Sequence, residues 1–524
     1  MAVTAIPLGT VPSIDPATGE VSEQLARTDP ASLGEIIGRA REAQRCWSGV
    51  AMRRRSDLLR VLGDKMLAAR DALADAVVRE SGKPKVEALF ADVFVALDSA
   101  QYFARRAPGL LWSEAVSHHS TPAKAKSGRL HYQPLGVIGV ISSWNYPLAI
   151  PVSQVVAAVA AGNAVLCKTS EITPRCGAWI ERLFLEAGFP QNLVTVLQGG
   201  SELGQALIDA KPDKLLFTGS VATGRHVAEA CASRLIPTVL ELGGKDPMLV
   251  LGDANLEVAS SAAVWGSYTN CGQVCLSVER LLVERSVADH FTDLCVRKTQ
   301  KLRLGHGADP RTDVGPLIRP QQVERMRGLL EDAATRGAKI LCGGRPRPDL
   351  GPSFFEPTVV TGVDSSMRLF AEETFGPILA IQPIGDAEEA VARANESPFA
   401  LAASVWTGDP DRGQLLAHKL RAGAVMINDV ISYFAIAEAP HGGSGWSGWG
   451  RTHGKAGLLE MVQPKYIDVD LVAGAEKPWW YRYGAGLSSA ADAFLQFEFA
   501  PRLASRLGHA RAAMKAVFRS HGLR

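Results

Sequence analysis

The chain has 524 residues, of which 47% are hydrophobic and 21% charged, and its formal net charge is +2. This length exceeds what one hydrophobic core serves, and the composition excludes disordered and fibrous classes. The balanced charge excludes a global field that would draw nucleic acid or an acidic partner, and eight cysteines in so long a chain do not make a disulfide framework.

The opening Met1-Ala2-Val3-Thr4-Ala5-Ile6-Pro7 has no basic start and no long apolar core, so no signal peptide is expected. The expected compartment is reducing and cytoplasmic. Residues 31 to 80 read as helices, because Leu58, Leu59, Leu62, Met66, Leu73 and Val77 recur at helical spacing among charges. Residues 119–133 are polar and read as a connector, or as an edge strand ending near Leu130-His131-Tyr132. From 134 onward short apolar runs alternate with helical patterns. Gly136 to Ile141, Ala164 to Lys168, Leu193 to Leu197, Lys214 to Thr218 and Thr238 to Leu242 read as buried strands. Helices are expected between them near 148–161, 173–187, 201–210 and 223–233. The stretch Leu148 to Cys167 is the most apolar. Pro151, Ser153, Gln154, Gly162 and Asn163 interrupt it, so it reads as a buried helix entering a buried strand.

A second α/β texture follows from about 247 to 440, with strands at Lys339-Ile340-Leu341, Ile378 to Gln382, Ala402 to Trp406 and Ala424 to Asn428. Alternating strands and helices imply parallel sheets, with ligands at the carboxyl ends of the strands. Beyond 470 come Lys477-Pro478-Trp479-Trp480-Tyr481-Arg482-Tyr483 and an expected helix near 500–519. Its Leu503, Leu507, Met514 and Phe518 share a face flanked by Arg502, Arg506, Arg511, Lys515 and Arg519. Such a helix docks on protein, stays solvated, or lies on a membrane surface.

The chemistry concentrates in three segments. Cys275 ends Tyr268-Thr269-Asn270-Cys271-Gly272-Gln273-Val274-Cys275; Glu241 opens Glu241-Leu242-Gly243-Gly244-Lys245; Asn145 lies in Ser143-Trp144-Asn145-Tyr146-Pro147. A thiol, a carboxylate and a carboxamide supply a nucleophile, a base and an oxyanion donor for covalent chemistry at a carbonyl carbon. The thiol needs a helix N-terminus, a cation or a base to act as thiolate. Each residue also has a plain structural role open to it: packing for the cysteine, a partnered buried carboxylate for Glu241, a helix cap for Asn145. Cys46, Cys167, Cys176, Cys231, Cys295 and Cys342 read as inert packing residues. Cys271 and Cys275 lack the second Cys/His cluster of a zinc site, so no metal is expected. Gly219-Ser220-Val221-Ala222-Thr223-Gly224 has the glycine spacing of a phosphate loop, but Arg225-His226 follows where Lys-Ser/Thr is required.

These segments, with Lys168-Thr169-Ser170-Glu171, Phe217-Thr218-Gly219-Ser220, Glu372-Glu373-Thr374-Phe375-Gly376-Pro377 and Pro440-His441-Gly442-Gly443, resemble in order the motifs of the NAD(P)-dependent aldehyde dehydrogenases. The resemblance spans roughly residues 15 to 480. It implies an α/β fold with two Rossmann-like parallel-sheet domains, a small bridging strand region and a C-terminal helical tail. The implied division is 1–118 and 134–246 for the NAD(P)-binding domain, 247–440 for the catalytic domain, 119–133 and 463–476 for bridging, oligomerising strands, and 477–524 for the tail.

The resemblance also implies roles. Cys275 attacks the aldehyde; Asn145 and the Cys275 N–H stabilise the oxyanion; Glu241 activates water, so the product is a free acid. Lys168 and Glu171 hold the adenosine ribose, Gly219 and Ser220 face the pyrophosphate, Glu373 binds the nicotinamide ribose and Phe375 packs on its ring. Ser142, Trp144, Leu242 and Gly243 complete the cofactor set. Glu171 favours NAD, with NADP as the alternative because Arg175 is close. The helix after Asn145 carries Tyr146, Leu148, Ile150 and Val152 and no Arg-Lys pair. Trp265, Tyr268, Val274, Tyr433 and Phe434 offer apolar walls, so an apolar aliphatic or aromatic aldehyde is expected. His441 replaces the usual Phe, Thr169 the frequent Pro, and Tyr268-Thr269 the common aromatic pair. A homodimer or homotetramer is implied. The tail is similar to the extended C-termini of some long-chain fatty-aldehyde relatives, which adds membrane association as an expectation. The competing readings are a CoA-acylating semialdehyde dehydrogenase and a catalytically silent nucleotide-binding scaffold.

Overall fold

The computed structural model describes residues 9–511 except Ala475, Pro478, Arg482, Ala485, Leu503, Ser505 and Gly508. Two sheets organise the larger compact unit, formed by Met1–Leu110 and Pro134–Gln463. The first sheet has the spatial order Gly448–Trp449, Thr238–Glu241, Lys214–Thr218, Val137–Ile141, Ala164–Lys168, Val194–Leu197. Five of these strands run parallel, and Gly448–Trp449 closes the edge antiparallel to Thr238–Glu241. Val137–Ile141 and Ala164–Lys168 are buried at every residue, as a parallel strand covered on both faces requires. The chain builds outward from Val137–Ile141 on one side and returns to Lys214–Thr218 on the other. The strand order therefore reverses between these two, and the crevice that binds ligands in such sheets opens at their carboxyl ends. Residues 142–145 and 218–220 lie there.

The second sheet has the order Lys339–Cys342, Thr358–Thr361, Ile378–Ile384, Val278–Glu284, Asp246–Val250, Ala402–Trp406, Ala424–Ile427. All its pairs are parallel except Lys339–Cys342 with Thr358–Thr361. Its register brings Asp246 opposite Val278. Glu241 and Cys275 each lie a few residues before these partners, so the pairing carries both to one end of the sheet. The segment Glu241–Lys245 is the link itself: it leaves the first sheet at its carboxyl end and enters the second at its amino end.

The second compact unit comprises Leu111–Gln133 and Pro464–Arg524. It holds most of a three-stranded sheet ordered Val462–Asp470, Lys126–Pro134, Glu114–Val116. The expected edge strand near 130–132 is thus the central strand, because strands before and after it in sequence pair on both sides. Glu114–Val116 falls in this unit and not with residues 1–110. A helix spans Leu487–Phe499, and its Glu498 accepts from the Thr121 N–H at 2.9 Å. The helix expected near 500–519 lies mostly outside the described residues.

Three features were not expected: an antiparallel hairpin of Thr10–Ile14 and Val21–Ala26, a π-helical turn at Ala88–Val93, and the helix Phe94–Leu110 that continues it. π-turns concentrate near functional sites. This one presents Phe90 on the surface, 68% exposed, and Phe94, 47% exposed, opens the helix that follows.

Candidate active site

Cys275 and Glu241 line two cavities together, one apolar and one polar. Asn145 joins the polar one. Asn145 Nδ2 donates to the Gln273 carbonyl at 3.0 Å, tying the carboxamide to the cysteine loop. The Asn145 carbonyl accepts from Lys83 Nζ at 2.7 Å and from Asn270 Nδ2 at 3.0 Å, and its Oδ1 accepts from Ser143 Oγ at 2.8 Å. Asn145 is not the cap of the following helix. That role falls to Asp92, whose Oδ1 accepts from the Leu148 and Ala149 N–H groups, while its other oxygen pairs with fully buried Lys83 at 2.7 Å. The cysteine loop is conformationally strained, with Asn270 and Cys271 at φ 50° and 55°. Phe375, Ile431 and His453 also take positive φ around the site. Each such residue costs on the order of 1–3 kcal/mol, held by its surroundings.

The electrostatics raise both reacting groups above their ordinary pKa values. Burial pushes the Cys275 thiol up, and the carboxyls of Asp246, Glu373 and Glu241 push the same way; only its own backbone N–H opposes them. Burial holds Glu241 well above the ordinary carboxylate range. Arg451 pulls it down and Glu460 pushes it up. Neither Glu241 oxygen has a hydrogen-bond partner among the described residues. A buried carboxyl without donors cannot hold a charge cheaply.

The polar cavity, about 490 Å³, lies over the strand-order reversal. Trp144, Gly219, Ser220, Leu242, Gly243, Glu373 and Phe375 line it, joined by Arg319, Gln322 and Arg325. Ser220 caps the helix Val221–Ala232 by accepting from the Thr223 N–H, so a helix N-terminus faces this cleft as an anion site. A Cβ on Gly243 would stand 2.5 Å from the Glu373 carboxylate, which would have to shift to admit it. Glu373 accepts from the Gly244 N–H at 3.2 Å and is pushed up to about 8, by burial first and by Glu279 second. Trp144 and Phe375 meet edge to face at 5.5 Å. Ser142 and Lys168 are adjacent through the backbone, Ser142 N–H to Lys168 carbonyl at 3.0 Å, and Lys168 pairs with Glu171 at 3.0 Å. These three do not line the cleft; Glu171 faces a neighbouring cavity beside Arg27, Gly199 and Arg319. The donor set fits a dinucleotide: a helix N-terminus for its phosphates, a carboxylate for a ribose and aromatic edges for a ring.

The apolar cavity, about 240 Å³, is walled by Phe90, Phe94, Val95, Tyr146, Ile150, Trp265, Val274, Ile431 and Phe434, with Ser153, Gln154, His441, Thr452 and His453 as polar members. Trp265, Val274 and Phe434 form walls as expected. Tyr268 and Tyr433 do not: Tyr268 is buried and donates to the Thr358 carbonyl at 2.9 Å, and Tyr433 stands behind His441. Leu148 and Val152 turn into the core. Among the described residues lining this cavity there is no Lys or Arg. No local string signals Phe90, Phe94 and His453, because residues 90–94 and 453 meet only in the fold. Arg325, near Gln322 on the helix Pro320–Thr335, lies in no string whose spacing signals a site. Cys46, expected to pack, is exposed; Cys167, Cys176, Cys231 and Cys295 are buried as expected. No group of three metal-ligating side chains occurs among the described residues.

The model of the aldehyde dehydrogenase family matches residues 4–467. A Mycolicibacterium smegmatis protein, provisionally named an NADP(+)-linked succinate-semialdehyde dehydrogenase, is 39% identical over 85% of this chain and 86% of its own length. A 4,4'-diapolycopene aldehyde oxidase from Methylomonas is 36% identical over 93% of this chain and 91% of its own. The crystal structure of a Staphylococcus aureus betaine aldehyde dehydrogenase variant in complex with NAD+ superposes with a TM-score of 0.85 at 34% identity, covering 90% of this chain and 96% of that one.

Proposed function

The chain belongs to the aldehyde dehydrogenase family, and from that premise we propose that it oxidises apolar aliphatic or aromatic aldehydes to free carboxylic acids, with NAD preferred over NADP. NAD(P)-dependent oxidation of an aldehyde is the family's reaction. The observation that carries this reading is the position of Cys275 and Glu241 on the wall shared by an apolar cavity and a polar cleft.

The aldehyde carbon enters from the apolar side. The Cys275 sulfur attacks it, and the thiol proton leaves through water to solvent. Asn145 Nδ2 has one hydrogen on the Gln273 carbonyl and a second free to meet the developing oxyanion beside the Cys275 N–H. A dinucleotide held by Ser220, Gly219, Glu373 and Phe375 supplies the acceptor for the hydride that leaves this carbon. The thioester that remains on Cys275 is cleaved by water: the ionised Glu241 takes a proton from it and returns that proton to the departing sulfur, so the acid leaves with the thiol restored. In this reading the first sheet serves the cofactor and the second holds the nucleophile.

Two features favour the finer assignments. A dicarboxylate semialdehyde would bring its far carboxylate into a cavity whose described lining holds no cation. In this reading Glu171 holds the adenosine ribose, so a 2′-phosphate would meet like charge, and Arg175 is already paired with Glu23 at 3.2 Å. The test is a series of aldehydes of rising chain length and aromaticity, each with both coenzymes. Specificity that rises with hydrophobicity, larger with NAD, supports the proposal; an optimum at succinic semialdehyde overturns the substrate class. Turnover without CoA, with ¹⁸O from water in the acid, discriminates against the CoA-acylating reading. Loss of NADH formation in Cys275→Ala discriminates against a silent scaffold.

A further inference from the structure

Glu241 presents a difficulty within its own site. It is buried, neither oxygen has a hydrogen-bond partner among the described residues, and as a base it must spend part of each turnover ionised. One side chain stands ready to relieve it. His441 Nε2 lies 3.6 Å from Glu241 Oε2, with both side chains nearly fully buried. That separation exceeds a hydrogen bond by roughly half an ångström, a gap that a small side-chain rotation closes and that resting enzymes often show. The loop approaches so closely because Gly442 has no side chain: at φ +142°, a Cβ there would stand 2.8 Å from Glu241 Oε1. On the far side of the imidazole, Nδ1 lies 2.8 Å from the Tyr433 hydroxyl. Burial keeps that phenol protonated, since its pKa is raised well above the usual tyrosine value.

We propose that His441 is a positioning residue for Glu241: the Tyr433 O–H donates to Nδ1, which fixes the proton of the neutral ring on Nε2, and this Nε2–H donates to the Glu241 carboxylate whenever it ionises. The proposal rests on the reading of Glu241 as the general base. The ring is suited to the task because it stays neutral. Burial holds His441 well below the usual histidine range, with His453 and Arg451 pushing the same way. A neutral ring held as a fixed donor stabilises the carboxylate without adding a second titration.

The other groups facing this pair are few. His453 packs edge-on to His441 at 5.9 Å, and burial pushes it down to about 4, so it too is neutral. Phe434 packs edge-on at 4.9 Å and offers no donor. Arg451 acts on His441 and Glu241, Glu460 acts on Glu241, and the Cys275 thiol feels Glu241 from the other wall. None of these gives Glu241 a hydrogen bond. The phenylalanine that the family's motif usually carries at position 441 would leave the carboxylate with no donor in reach.

The experiment is the pH profile of kcat, with the pre-steady-state burst of NADH measured alongside, for wild type, His441→Phe, His441→Gln, Tyr433→Phe and Glu241→Gln. Removing the donor raises the pKa of the base, so the ascending limb in His441→Phe moves to higher pH by about one unit while the burst persists. His441→Gln, which keeps an N–H at similar reach, restores the limb towards wild type. Tyr433→Phe frees the tautomer and shifts the limb the same way by less; it also decides the matter should His441→Phe fail to fold. A limb that stays in place in both His441→Phe and Tyr433→Phe overturns the proposal, as does a His441→Gln limb displaced as far as that of His441→Phe. Glu241→Gln separates the two readings. If it turns over at the wild-type rate, the base assignment fails and this inference with it. If it forms a burst and then stalls while the histidine variants are unshifted, only the inference fails.

Discussion

At Glu241, folding and catalysis want opposite protonation states. The folded chain keeps the proton above the ordinary carboxylate pKa of about 4.3, where the unfolded chain has released it. Stability therefore falls as pH rises from about 4.3 towards the raised folded value. Glu241→Gln removes this penalty, so its melting temperature should exceed the wild-type value by more at pH 8 than at pH 4; an equal gap at both contradicts the burial argument. The same variant should lose about 10²–10⁴ in kcat, because its thioester lacks a base. Asn145→Ala should lower kcat by about 10²–10³ through loss of one oxyanion donor, read against a thermal melt to separate loss of the Gln273 tie. Glu241, Asn145 and Cys275 were legible before any fold was known, because each stands in a local string whose spacing is itself the signal. His441 was visible only as a departure from a motif. What it does depends on Tyr433 and Glu241, and the chain gives no local sign that these three meet.

The element that matters most is the turn between the two sheets. Gly243 and Gly244 let it pass between Glu373 and the cysteine loop. A Cβ at Gly244 would stand 2.2 Å from the Cys275 carbonyl oxygen, which is backbone and cannot rotate away; a Cβ at Gly243 would meet only a side-chain carboxylate. Gly244→Ala should therefore cost about 10²-fold in kcat by displacing the nucleophile, while Gly243→Ala should raise the coenzyme KM about tenfold and spare kcat. Steady-state kinetics of the two variants check the split. Below Asn145, Lys83 joins Asp92 and the Asn145 carbonyl, with its ammonium 3.9 Å from the Tyr146 ring centre. Lys83→Met should destabilise the fold by about 3–5 kcal/mol in a denaturant titration, since it strands a buried carboxylate. Strands of the first sheet were readable as apolar runs. Val278–Glu284 was not, because its buried Glu279 and Arg280 break the pattern. Glu279 pairs with Lys245 and accepts from the Thr374 N–H, and Arg280 donates to the carbonyls of Lys245, Arg393 and Ala394. Asp246–Val250 opens on Asp-Pro, which reads as a turn.

At the scale of the molecule, the reach of the fold is set by pairings between distant segments. The strand Val462–Asp470 forms one edge of its sheet, with Tyr466, Ile467 and Val469 exposed on it. An open, partly apolar edge is a template for a second chain. An oligomer built on this edge is expected, and Ile467→Pro should shift the mass seen by light scattering towards the monomer. No helix among the described residues is long and apolar enough to cross a membrane. The whole account turns on a single covalent event, which intact-mass spectrometry of rapidly quenched Glu241→Gln reads directly after mixing with NAD and an apolar aldehyde. The account predicts one acyl group per chain, located on the Cys275 peptide, formed together with one NADH and absent from Cys275→Ala. NADH released with no acyl mass on Cys275, or a label carried by another residue, would contradict it.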